Sequence, residues 1–110
     1  MGVSKTDAFS KHHNQLATLA KALGHPARVA IIEHLLKVNT CICNDIVEQL
    51  PLSQPTISQH LRELNRVGLI RGKIAGNSIY YSIDREVWKR IENIFISLFK
   101  KYKGKSKTNR

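Results

Sequence analysis

No stretch of this 110-residue chain is apolar for long enough to span a bilayer, since a crossing helix needs about 20 such residues. The N-terminal run MGVSKTDAFSKHH lacks the apolar centre of a secretory signal. These two absences make a cytoplasmic location the default expectation. There are 2 cysteines, Cys41 and Cys43, which such a compartment keeps as reduced thiols unless they serve a metal or redox role. Carboxylates are scarce, at 8 Asp+Glu. No carboxylate pair, nucleophile–base pair or Gly-rich phosphate loop stands out, so the reading is not an enzyme. Internal repeats and low-complexity linkers are also missing.

What the chain has in excess is positive charge: 18 Lys+Arg and a formal net charge of +10. Such an excess fits an anionic partner, and nucleic acid suits it better than a membrane. The segment KKYKGKSKTNR from Lys100 holds six of the cations and no carboxylate, which leaves +4 for residues 1–99. The expected organisation is therefore one domain over residues 1–103 and a basic, disordered tail over 104–110. That tail can attract phosphates without adding sequence information.

Hydrophobic spacing divides the domain. A first helix is expected from about Asp7 to Leu23, with Phe9, Leu16, Leu19, Ala20 and Leu23 on one stripe and Gly24 as its C′ stop. Pro26 opens a second helix to about Lys37, with Ile31, Ile32, Leu35 and Leu36 inward. A short third helix covers about Asn44 to Leu50, and Pro51 ends it. A fourth runs from the Leu52-Ser53 turn to about Val67, and Gly68 terminates it. The period then becomes alternating, so Leu69–Ile74 and Ser78–Ile83 read as two strands joined around Ala75-Gly76-Asn77. Asp84 N-caps a last helix to about Tyr102. That helix carries two apolar stripes, one of Val87, Ile91, Ile94 and Leu98, the other of Trp88, Phe95 and Phe99. A small monomer covers two such stripes poorly, which points to a subunit interface shared with the first helix. The fold class is mainly α with a small β-hairpin (α+β), in the order α-α-α-α-β-β-α, a winged helix-turn-helix.

The segment PLSQPTISQHLRELNRVGLI, Pro51 to Ile70, carries the functional signal. Ser53 is expected to cap the fourth helix by accepting a first-turn N–H, and Pro55 fits that first turn. Ile57, Leu61 and Leu64 mark the buried face. Gln54, Thr56, Ser58, Gln59, Arg62 and Arg66 mark the other face, with no carboxylate near the start. Such a helix suits the major groove of DNA, where its N-terminal side chains reach base edges. Gln54 and Gln59 can pair bidentately with adenine, and Arg62 can bond guanine or a phosphate. On the hairpin, Arg71 and Lys73 share a face and Asn77 sits at the tip, placed to meet phosphates. His60 reads as a packing or phosphate-contact residue rather than a metal ligand.

Cys41-Ile42-Cys43 precedes the third helix. On a regular helix, residues two apart diverge by about 200°, so both sulfurs meet one soft ion only where the segment is extended. Two readings stand side by side: small packing side chains without ligand, or a thiol-based sensor. Two thiolates alone underfill a tetrahedral site.

LAKALGHPARVAIIEHLL, LSQPTISQHLRELNRVGLI and GNSIYYSI, in that order between Leu16 and Ile83, resemble the ArsR/SmtB-type transcriptional repressors. The resemblance implies a homodimer built from the first and last helices, bound to an imperfect palindrome in double-stranded DNA. It implies that Ser53, Gln54, Thr56, Ser58 and Gln59 occupy recognition-helix positions, and that an effector releases the repressor. Arsenite or soft-metal sensors of the family carry a Cys-x-Cys at this junction, which Cys41 and Cys43 match with a one-residue difference in spacing and without the third cysteine. The family's other metal site uses acidic and histidine ligands on the last helix, and Asp84 to Tyr102 contains no His. The alternative function is a non-specific nucleic-acid-binding or ribosome-associated basic protein. RNA readers present exposed aromatics for stacking, whereas this hairpin offers only Tyr80 and Tyr81, one of which alternation turns inward.

Overall fold

Pro26, Pro51 and Gly68 punctuate the chain where its helices stop or turn, and the computed structural model follows that punctuation. It describes residues 5–104. After a short 3-10 turn (Lys5–Ala8) come α1 (Lys11–Leu23), α2 (Pro26–Val38), α3 (Cys43–Gln49) and α4 (Gln54–Arg66), then β1 (Ile70–Ala75), β2 (Ser78–Ile83) and α5 (Arg85–Lys100). The order is the one expected, mainly α with one two-stranded antiparallel sheet. Most of the expected loose start and basic tail falls at residues 1–4 and 105–110, outside the described residues.

Local chemistry explains the element ends. His25 precedes α2 in an extended conformation and its Nδ1 accepts the Ala27 N–H at 3.0 Å. The Asp84 carboxylate accepts the N–H groups of Glu86 and Val87 at 3.1 Å each, which satisfies two orphan donors of α5. Gly68 adopts φ 83, a conformation that favours glycine, just past α4. Gly76 takes φ 63 at the first position of a two-residue turn, Gly76-Asn77, as a II′-type hairpin requires.

Several expectations need correction. α1 starts at Lys11 rather than Asp7, because the Ser10 hydroxyl caps it by accepting the His13 N–H at 3.1 Å. Phe9 consequently precedes the helix and is 59% exposed instead of joining the core stripe. Gly24 closes α1 at φ −82, so it is not a left-handed stop; the left-handed C-cap is Asn39 of α2, φ 73. Leu36 turns outward, since adjacent helical residues diverge by about 100° and Leu35 takes the inward direction. α5 ends at Lys100, two residues short of Tyr102. The Ser53 hydroxyl does not cap α4: it lies 3.0 Å from Thr56 Oγ1 and makes no bond to a first-turn N–H.

The core gathers Ile31, Ile32 and Leu35 from α2, Ile46 from α3, Ile57, Leu61 and Leu64 from α4, and Leu69 and Ile70 beyond it. Leu69 bridges α4 to α5: its N–H bonds Leu64 O and its carbonyl accepts the Asp84 N–H. The first strand therefore starts one residue later than the alternation predicts. In the hairpin, Ile70, Gly72 and Ile74 pair with Ile83, Tyr81 and Ile79, while Arg71 and Lys73 pair with Ser82 and Tyr80. Tyr81 is half-buried and Tyr80 exposed, as alternation requires. Of the α5 residues only Ile91 is buried; Ile96, Leu98 and Phe99 are exposed, Phe99 at 69%. Leu98 therefore leaves the stripe expected to face the core.

Candidate nucleic-acid interface

α4 presents the polar face that its sequence promises. Its first turn holds no carboxylate, so the positive end of the helix dipole is not neutralised there. Ser53, Gln54, Thr56, Gln59 and Arg62 are exposed and Ser58 is half-buried. Hydrogen bonds along the helix organise them in pairs: Gln54 Nε2 donates to Ser58 Oγ at 3.0 Å, and Arg62 donates to Gln59 Oε1 at 2.7 Å. Arg66 bonds Glu63 at 3.1 Å, which turns that cation back onto its own helix.

The wing stands beside this face. Lys73 and Asn77 are exposed. Arg71 is exposed too, but its Nε lies 3.3 Å from the Asp84 carboxylate that caps α5, so one residue anchors both a helix end and a wing cation. A cleft of about 280 Å³ separates the helix from the wing, and Cys43, Gln54, Ser58, Asn77, Ile79 and Tyr81 are among the residues lining it. Gly72 makes the wing's inner face possible: a Cβ there would stand 2.8 Å from Ile79 Cγ2 and 3.2 Å from Tyr81 Cε1.

The two cysteines go to different surroundings. Cys41 is extended, exchanging backbone hydrogen bonds with Tyr81 at 3.1 and 2.8 Å, so α3 is tied directly to the wing. Its side chain is 4% exposed. Burial first, then the nearby Asp45 and Cys43, push its thiol up to about 11. Cys43 opens α3 and faces α4, with Sγ 3.6 Å from Ser58 Oγ and 3.9 Å from Gln54 Nε2. The extended backbone over Cys41 and Ile42 meets the condition set by the Cys-x-Cys spacing. The donor set does not fit a complete site, because no group of three or more His, Cys, Asp or Glu that can hold a metal occurs among the described residues.

Sequence reasoning missed a histidine pair with one buried member. His60, on α4, is 8% exposed, and its ring centre lies 4.4 Å from that of His25, the cap of α2. Its Nδ1 is buried without a partner. Burial lowers its pKa, and His25 and Arg28 act in the same direction. The only sequence signal was His25 standing directly before Pro26, a cap position.

Comparison with known proteins decides the family. Residues 25–71, α2 to the start of β1, match the model for bacterial regulatory proteins of the arsR family. The chain is 31% identical to an uncharacterised HTH-type transcriptional regulator of Methanocaldococcus jannaschii, covering 74% of this chain and 97% of that one. The chain belongs to the ArsR family. It is also 32% identical to the arsenical resistance operon repressor of Staphylococcus xylosus, over 67% of this chain and 70% of that one. Among solved structures it superposes on HlyU from Vibrio cholerae with a TM-score of 0.66 at 30% identity, covering 78% and 94% of the two chains. As an ArsR-family winged helix-turn-helix, it is a sequence-specific DNA-binding transcriptional regulator and not an enzyme. No helix of the described residues is long and apolar enough to cross a membrane.

Proposed function

We propose that this ArsR-family regulator is a homodimeric repressor that reads its operator with α4 and steadies itself with the wing. Ser53, Gln54, Thr56, Ser58, Gln59 and Arg62 contact base edges or flanking phosphates in the major groove, and Arg71, Lys73 and Asn77 meet the backbone or the adjacent minor groove. The observation that carries this reading is the exposed polar face of α4, with no carboxylate in its first turn, sharing a cleft with the wing tip at Asn77. Dimerisation through α1 and α5 is supported by the apolar side chains that α5 leaves uncovered. The basic residues of 104–110 add phosphate attraction to the domain formed by residues 1–103.

The test separates base reading from charge. Gln59→Ala should lower affinity for the operator while leaving affinity for random duplex unchanged. Lys73→Ala should lower both alike and reduce the salt dependence of binding by about one phosphate contact. Equal loss on both duplexes for Gln59→Ala would remove this residue from base reading.

For the effector, the relative named for arsenical resistance supports a thiol-reactive agent, arsenite or a soft divalent ion, acting at Cys41 and Cys43. Cys43 is the more accessible of the two. Operator complexes should be titrated with arsenite, cadmium, zinc or oxidant. Release by one of them that is lost in Cys41→Ser with Cys43→Ser supports a thiol sensor. No release by any of them removes the effector role and leaves the repressor reading standing.

A further inference from the structure

We propose that Ile74 and Ile79 form an apolar face of the wing that packs on the deoxyribose rings of the DNA strand running between α4 and the wing. The inference rests on α4 being the reading helix and on the wing reaching the adjacent minor groove. Ile74 and Ile79 are cross-strand partners, next to the Ala75–Ser78 pair that closes the hairpin. Both side chains leave the same face of the sheet as Gly72 and Tyr81, since faces alternate along a strand. That face looks toward α4: Ile79 and Tyr81 line the cleft together with Gln54 and Ser58. A Cβ at Gly72 would stand 2.8 Å from Ile79 Cγ2, so the Ile79 side chain lies over the glycine and against the wing. Ile79 is 43% exposed and Ile74 is 77% exposed. Single apolar side chains on a surface are ordinary. Two adjoining branched ones on the cleft side of a DNA-binding wing are not.

Charge and the shape of duplex DNA say what covers them. Residues 70–83 hold no Asp or Glu, and Arg71 and Lys73 stand on the opposite face of β1. An apolar pair in cationic surroundings suits a polyanion and disfavours a second copy of this basic chain. A major groove and the adjacent minor groove are separated by one sugar–phosphate strand. With α4 in the first and the wing over the second, that strand passes along the cleft side of the wing. Its phosphates are anionic, but its deoxyribose rings present C–H groups that aliphatic side chains cover. Lys73 and Asn77 then meet phosphates while Ile74 and Ile79 meet sugars. Such a contact is the same for every base and displaces no counterion, so it adds affinity without sequence information or salt dependence.

The test uses the full-length protein on its selected operator and on scrambled duplex, each over a series of salt concentrations. Ile74→Ala should weaken binding to both duplexes by the same factor, about tenfold, the scale of uncovering roughly half an isoleucine side chain. The slope of log affinity against log salt should stay at the parent value, because no phosphate contact is lost. Lys73→Ala should instead lower that slope by about one contact. Ile74→Val keeps most of the aliphatic surface and should retain most of the affinity. The heat-capacity change of binding should be less negative in Ile74→Ala, the mark of lost apolar burial. Urea unfolding of the free variant should stay close to the parent's, since Ile74 is exposed. Should Ile74→Ala not fold, Ile79→Ala takes its place, with the same pattern expected. The proposal is overturned if these alanine variants bind both duplexes as the parent does, or if the salt slope falls with them. It is also overturned if the loss is confined to the operator, which marks base reading, or if the oligomeric state changes, which marks a subunit contact. If Lys73→Ala too leaves affinity and slope unchanged, the wing does not meet DNA and its placement in the minor groove fails as well. If Lys73→Ala lowers both while the alanine variants bind like the parent, only the apolar contact fails.

Discussion

Asp84 does two jobs that substitution can separate. One carboxylate oxygen accepts two N–H groups of α5, and the other lies 3.3 Å from Arg71 Nε on the wing. Asp84→Ala removes both interactions. Losing an N-cap costs about 0.5–2 kcal/mol, and an ion pair with so exposed an arginine adds at most about 1 kcal/mol. The expected total is about 0.5–3 kcal/mol, read from urea unfolding followed by circular dichroism. Asp84→Asn keeps a good capping group and loses only the charge, so its cost should stay below about 1 kcal/mol. DNA binding should move the opposite way. Asp84→Asn removes a negative charge at the base of the wing and frees Arg71 for a phosphate. Affinity for duplex should rise at low salt, with the slope of log affinity against log salt steeper by about one contact. Equal destabilisation by Asn and Ala would refute the capping argument. Weaker DNA binding by Asp84→Asn would refute the claim that this carboxylate restrains a DNA-facing cation.

Other outcomes follow from the same geometry. His60 has its pKa lowered by burial, with His25 and Arg28 adding to the effect. The unfolded chain therefore takes up the proton more readily. Stability from the neutral ring is fully present above the ordinary value of 6.5 and is lost as pH falls below it toward the lowered folded value. Thermal unfolding midpoints should drop between pH 7.5 and pH 5.5, and a folded His60→Gln variant should show a flatter profile; an equal drop in both would clear His60 of responsibility. Gly72→Ala should destabilise by about 1–3 kcal/mol through overpacking against Ile79 and Tyr81, and unchanged urea unfolding would contradict that contact. Leu64→Ala empties a fully buried position on the inner face of α4 and should cost about 2–5 kcal/mol by the same assay, against which a cost under 1 kcal/mol would count.

The legible parts of this protein were those governed by local chemistry. Pro26, Gly68 and Asp84 mark element ends that hydrogen bonding and backbone preference alone dictate, and Ile57, Leu61 and Leu64 carry a period that only a half-buried helix explains. Hidden features depend on distant partners. Nothing near Cys41 reveals that it pairs with Tyr81, forty residues away, or that this pairing buries it. His25 and His60 meet only because α2 and α4 pack together. Ser53 failed as a side-chain cap because Thr56 offers its hydroxyl a competing partner one turn on, a choice that a preference scale does not resolve. Ser10, a residue with the same capping chemistry, took the role in α1 and displaced Phe9 from the core.

The central claim is sequence-specific reading of duplex DNA. The most direct measurement is the ratio of affinities for the best duplex selected from a randomised pool and for a scrambled duplex of equal length, at physiological salt. The account predicts a ratio of at least about 10³ and a selected site with two-fold symmetry. A ratio near one, with binding carried by charge alone, would contradict it.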